Sequence, residues 1–169
     1  MRTALHHASA SGLGKPIGLY RPYIGSSNLM GEAARRPERI LIVGTDTSFQ
    51  GSLALALREA GFEVMTATTG ERAFCLLRDW QRPIDWLYTQ ATLPGLIDGW
   101  ILADQYRDNH PGRPAIIGTR EVRSSLQGDV VLKEPTVETV LDTVRHLTVS
   151  ARSQTLVEPA STAPQSLAA

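Results

Sequence analysis

Four short apolar runs each end beside residues that can bind or react: "ILIV" (40–43), "WLYT" (86–89), "AIIG" (115–118) and "VVLK" (130–133). Gly44, Thr45 and Asp46 follow the first run, Gln90 the second and Thr119 the third. The fourth ends on Lys133 and leads into Glu134 and Pro135. Carboxylates, a lysine, hydroxyls and an amide brought together can hold a polar ligand by ion pairs and hydrogen bonds. They do not make an obvious catalyst. No nucleophile–base pair is visible, and the chain has no glycine-rich phosphate loop. Gln90 is uncharged, its amide nitrogen is a poor nucleophile and its oxygen a weak metal ligand.

For these residues to meet, the apolar runs must be neighbouring strands. "ILIV" is wholly apolar, as a strand buried on both faces requires. "TSFQGSLALALREAG" then predicts a helix with Thr47 or Ser48 as its cap, Phe49, Leu53, Ala56, Leu57 and Ala60 inward, and Gly61 as its stop. "FEVMTAT" and "GERAFCLLRDW" give a second strand and helix, and "IDWLYT" (84–89) a third strand. A third helix spans 99–109, with Asp98 as cap, before the strand "PAIIG" (114–118) and the last strand "VVLK". In "TVETVLDTVRHL", Val137, Val140, Leu141, Val144 and Leu147 share one face, Thr136 is placed to cap, and Glu138 suits the positive end of the helix dipole. Strand–helix alternation of this kind predicts an α/β three-layer sandwich around a parallel sheet, with right-handed crossovers. Five strands suggest the flavodoxin-like order 2-1-3-4-5, whose sites form beyond the carboxyl ends of strands 1 and 3.

Composition bounds the function. The 169 residues suffice for one domain with a core plus flanking segments, and 42% apolar with 20% charged residues is ordinary for a globular chain. The formal charge is zero, with Arg2, Lys15, Arg21, Arg35 and Arg36 against Glu32 giving residues 1–37 a net +4. No concentrated basic face emerges, so nucleic acid is not an expected partner. No run reaches the roughly 18–20 apolar residues a membrane helix needs, and the start lacks the apolar core of a secretory signal; a cytoplasmic protein is expected. Cys75 is the only cysteine, which excludes an intrachain disulfide and a zinc cluster, and its place in "AFCLL" predicts a buried thiol. Trp80, Trp86 and Trp100 are read as core or edge packing, with Trp100 close to the site loop. His6 and His7 are a weak metal hint, and His110 and His146 have no partner at ligand spacing. Residues 1–37 are expected to be a disordered or weakly ordered arm, 38–149 the domain, and 150–169 a disordered tail. Within the arm, "IGLYRPYIG" could dock on a partner or on the domain.

The segment "RILIVGTDTSFQGSLALALREAGFEVMTATTGERAFCLLRD" resembles the first half of a bacterial two-component response-regulator receiver domain. "IDWLYTQATLPGLIDGW" resembles its central strand and proline-glycine loop, with one extra residue before Asp98-Gly99. "RPAIIGT" and "VVLKEPTVETVLDTVRHL" resemble its last two strands, proline turn and final helix. The resemblance covers about residues 38–148. It implies a phospho-accepting aspartate after the third strand and an acidic pair for Mg²⁺ after the first. It also implies a hydroxyl after the fourth strand, a lysine after the fifth, and often a cis peptide at the following proline.

On this chain the acidic pair falls on Gly44 and Thr45, with Asp46 one place later. The acceptor falls on Gln90, the hydroxyl is kept as Thr119, and the lysine falls on Glu134, with Lys133 one residue earlier. A carboxylate is needed to form an acyl phosphate, and Mg²⁺ needs hard anionic oxygens. The expectation is therefore a degenerate pseudo-receiver: no aspartyl phosphorylation, no Mg²⁺ or other cofactor, and no enzymatic activity. Gln90 is expected to hydrogen-bond Thr119 or Thr45, Asp46 to serve as cap or ligand, and Glu134 to be solvated or paired with Lys133 or Arg120. The short interval from Thr119 to Glu134 predicts that the fourth helix, over "REVRSSLQGD", is shortened or absent. The leading expectation is action through a protein partner: a signalling kinase, an output protein or a second copy. Two alternatives stay open: a receiver phosphorylated at Asp46 or Asp98, and a flavodoxin-like small-ligand binder or enzyme using the pocket around Thr45, Gln90 and Thr119.

Overall fold

The apolar runs pair as strands because a stretch buried on both faces can satisfy its backbone only through neighbouring strands. The computed structural model describes residues 36–155. Its strands are β1 (Arg39–Val43), β2 (Glu63–Ala67), β3 (Trp86–Gln90), β4 (Ile116–Thr119) and β5 (Val130–Lys133). Its helices are α1 (Thr47–Glu59), α2 (Gly70–Leu77), α3 (Gly99–Asn109) and α4 (Val137–Thr155). All strand pairs are parallel, in the order β2-β1-β3-β4-β5, which is the flavodoxin-like arrangement expected. The third strand begins later than the run suggests and ends on Gln90 itself.

Alternate residues of the central strands feed two cores. Leu41, Val43, Leu87 and Ile117 pack toward α2 and α3. Ile40, Ile42, Trp86, Tyr88 and Ile116 pack toward α1 and α4. Each large apolar side chain so buried contributes about 1.5–3 kcal/mol.

The helix between β4 and β5 is absent, as its short interval implies; residues 120–129 form a loop. Asp129 secures that loop. Its side chain, only 1% exposed, pairs with Arg107 of α3 and accepts hydrogen bonds from Ser125 Oγ (2.8 Å) and Ala115 N (3.2 Å).

Some expectations are corrected. Cys75 is exposed, because the inward stripe of α2 is Gly70, Ala73 and Leu77. Trp80 is 83% exposed, since it lies past the end of α2 in a turn, whereas Trp86 is buried and donates Nε1–H to Glu38 at 2.6 Å. The cap of α1 is Asp46 rather than Thr47 or Ser48. Its buried residues are Gln50, Leu53, Ala54 and Leu57, while Ala56 and Ala60 are only half-buried. The closing helix runs on to Thr155 instead of ending at 149. Its apolar face continues, with Thr148 buried and Ala151 against the core, and Arg152 reaches Glu38 at 3.3 Å. The arm up to residue 35 and the tail from 156, with "IGLYRPYIG", His6 and His7, lie outside the described residues. Among the described residues no helix is long and apolar enough to cross a membrane.

Candidate functional site

The carboxyl ends of β1, β3, β4 and β5 surround a cleft of about 770 Å³. Its β1 side turns into α1 through Gly44, Thr45 and Asp46. Asp46 Oδ1 accepts the Phe49 amide at 3.0 Å and so ties up one carboxylate oxygen in the helix cap. A residue that the sequence reading missed braces this turn: buried Gln50 donates to the carbonyls of Gly44 (2.9 Å) and Ala67 (2.8 Å). An amide on an inward helical stripe was the available signal.

Gln90 crosses from β3 to the same turn. Its Oε1 accepts the Thr45 backbone N–H at 3.0 Å and the Thr45 hydroxyl at 3.3 Å. Thr119 is not its partner; that hydroxyl accepts the Glu121 amide at 3.1 Å and closes a local turn. The loop after Gln90 is held from α2, where Glu71 Oε1 accepts the Leu96 amide at 2.8 Å. Backbone N–H groups, its own and that of Leu96, hold the Glu71 carboxyl below its usual range. Asp98 Oδ1 caps α3 by accepting from Trp100 N and Ile101 N at 2.9 and 3.0 Å.

On the β5 side, Glu134 lines the cleft while Lys133 is exposed outside it. The turn is not made by a cis peptide, of which the described residues have none. Glu134 makes it instead with φ +44°, donating its N–H to the Thr119 carbonyl at 2.7 Å. Glu134 pairs with neither Lys133 nor Arg120 among the described residues. The structure thus brings Thr45, Asp46, Gln90, Thr119, Glu134 and Pro135 together, tucks Gly44 beneath Gln90, and leaves Lys133 out.

The lining also includes Arg123, Thr92 and Glu121, which the sequence reading did not single out. Arg123 lies over the Trp100 ring at 4.6 Å, beside Arg120 and Thr92. The side-chain donors that could face a divalent cation are one amide oxygen already accepting two hydrogen bonds, the capping carboxylate of Asp46, and Glu121 and Glu134 on loops beyond β4 and β5. That set fits Mg²⁺ poorly, since the ion demands near-octahedral hard oxygen ligands. The cleft is equipped for hydrogen bonding, ion pairing and aromatic contact.

The fold matches a group of solved structures. A response regulator receiver protein from Sinorhizobium medicae WSM419 aligns with a TM-score of 0.60 at 22% identity, over 68% of this chain and 97% of that one. The chain has the receiver-domain fold. The receiver domain of the hybrid histidine kinase CckA aligns with a TM-score of 0.55 at 27% identity, over 64% of this chain and 97% of that one. Chemotaxis response regulator CheY4 of Vibrio cholerae gives a TM-score of 0.58 at 21% identity, over 66% of this chain and 99% of that one. No protein-family model matches the sequence, and no curated protein does. In this chain the central strand β3 ends on Gln90.

Proposed function

We propose that this chain is a response-regulator-like protein of two-component signalling whose receiver domain does not take phosphate on aspartate. It acts through protein–protein contact, in the cytoplasm, without bound Mg²⁺ and without catalytic activity of its own. One observation carries this reading: the acceptor position holds Gln90, whose oxygen is already engaged by Thr45 N–H at 3.0 Å. Asp46 and Asp98, in the segments after β1 and β3, support it because each already serves a helix as its cap through Oδ1.

Incubating the full chain with acetyl phosphate and Mg²⁺, beside a receiver of known activity, tests the reading by intact mass. No mass gain is expected. A phosphoryl adduct on Asp46 or Asp98 would replace this reading with that of an active receiver using an unusual acceptor.

A further inference from the structure

The step from β4 to β5 leaves part of the sheet without a cover. Every other step between strands carries a helix, whereas residues 120–129 form a loop. A right-handed crossover would have placed the missing helix on the face that α2 and α3 cover. On that face Ile117 of β4 is buried in the core. Its register partner on β5, Val131, belongs to neither core and stays partly exposed. Lys133 follows two residues along on the same face and is exposed. Parallel strands are ordinarily buried on both faces, so an uncovered β5 is a place for another element.

The loop does not supply that element. Asp129 and the contact of Arg123 with Trp100 tie it down, yet Val122 is 87% exposed and Leu126 fully so. An anchored loop that turns two large apolar side chains to solvent beside a bare strand has the character of a recognition surface. Arg120, Arg123 and Lys133 make no ion pair among the described residues. Of the two carboxylates on the loop, Asp129 is buried against Arg107 and only Glu121 is exposed. The surface is therefore apolar with a cationic border, and its complement is apolar with an acidic border. β5 spans four residues, roughly 13 Å, the length of two to three helical turns. A second copy of the domain is a poor match. Its helices α1, α3 and α4 each expose one large apolar residue, Leu55, Ile101 and Val149, and no apolar stripe.

We propose that the face formed by β5 and the 120–129 loop docks an acidic amphipathic helix of a protein partner, in the place of the missing crossover helix. The apolar stripe of that helix covers Val131 and meets Val122 and Leu126. Its flanking carboxylates pair with Arg120, Arg123 and Lys133, which fixes its orientation more than its affinity. Such docking rests on the reading of the chain as a module that acts through protein–protein contact, and gives that contact a place and a chemistry.

The test is an amide NMR titration of the ¹⁵N-labelled full chain with three end-blocked, alanine-based helical peptides of about 16 residues. One carries a leucine stripe flanked by glutamates, and one the same stripe flanked by lysines. The third has the residues of the first in an order without a stripe. The first should give saturable shifts at Val122, Arg123, Leu126 and Val131, with affinity at least about tenfold above the other two. Val122→Ser/Leu126→Ser changes only exposed positions and should weaken it about tenfold, and Arg123→Gln/Lys133→Gln likewise. Absence of saturable shifts with the first peptide overturns the proposal, as does affinity unchanged in Val122→Ser/Leu126→Ser. Equal binding of the lysine peptide overturns the acidic partner. Sedimentation velocity of the chain alone should show no dimer through this face; a dimer dispersed by Val122→Ser/Leu126→Ser would make a second copy the occupant and overturn the proposal. A chain that neither binds the peptide nor takes phosphate overturns this site alone. One that binds the peptide yet accepts phosphate would overturn the functional reading and leave this site standing.

Discussion

Gln90 lies across Gly44 so closely that a Cβ on Gly44 would stand 2.9 Å from its Cδ and 3.1 Å from its Oε1. Gly44 is buried, and the amide fills the volume that any side chain there would occupy. The two residues are complementary: the glycine makes room, and the glutamine uses the room to reach Thr45.

Gly44→Asp should therefore destabilise the fold by about 1–3 kcal/mol, the usual cost of overpacking a filled site. The double variant Gly44→Asp/Gln90→Asp removes the longer side chain and should recover part of that loss. Urea midpoints of the two single variants and the double would measure this coupling. Purely additive effects would show that the contact has no energetic weight.

Glu134 holds a left-handed backbone at φ +44° in order to turn from β5 into the Pro135 segment. L-residues pay about 1–2 kcal/mol for that region, and glycine does not. Glu134→Gly should leave stability unchanged or raise it by up to about 1 kcal/mol, whereas Glu134→Val should lower it by about 1–2 kcal/mol. Thermal denaturation of the pair would read the difference.

Asp129 anchors the loop that stands where a helix would otherwise cover β4 and β5. Its buried carboxylate joins Arg107, Ser125 and Ala115. Arg107 keeps Asp104 as a partner, but Ser125 Oγ and the Ala115 amide lose theirs, so Asp129→Ala should cost roughly 1–3 kcal/mol. Hydrogen exchange should also quicken at the Ala115 amide, which donates to Asp129 Oδ1, while the β1 amides keep their relative protection.

Alkaline pH should unfold the domain through its buried phenols. Burial raises Tyr88 to about 12 and Tyr106 further, while an unfolded tyrosine titrates near about 10. The native state thus favours the protonated phenols. That preference is fully present below about pH 10 and is lost as pH rises through the folded values. Tyr88 accounts for about 3 kcal/mol of the decline. Tyr88→Phe should lose less than about 1 kcal/mol at neutral pH, since its hydroxyl is unbonded, and should show a shallower fall between about pH 10 and 12. Urea midpoints across that range would give both slopes.

The sequence by itself determined the sheet order, the two-faced core and the missing helix. These follow from run length, periodicity and interval, which are local properties of the chain. It also determined that the third strand leads into an amide, Gln90, and that Asp98 and Thr136 head their helices. Tertiary structure decided the rest. Lys133 and Glu134 are adjacent, and which of them faces the cleft depends on one backbone angle that no periodicity encodes. Thr45, rather than Thr119, became the partner of Gln90 because Gly44 leaves the side chain a path in that direction. Cys75 and Trp80 lie outside because facing is fixed by where α2 docks and stops. The open Tyr88 hydroxyl was the least legible feature of all: a tyrosine in a buried strand reads as core, and only the glycine opposite it shows that its oxygen meets a cleft.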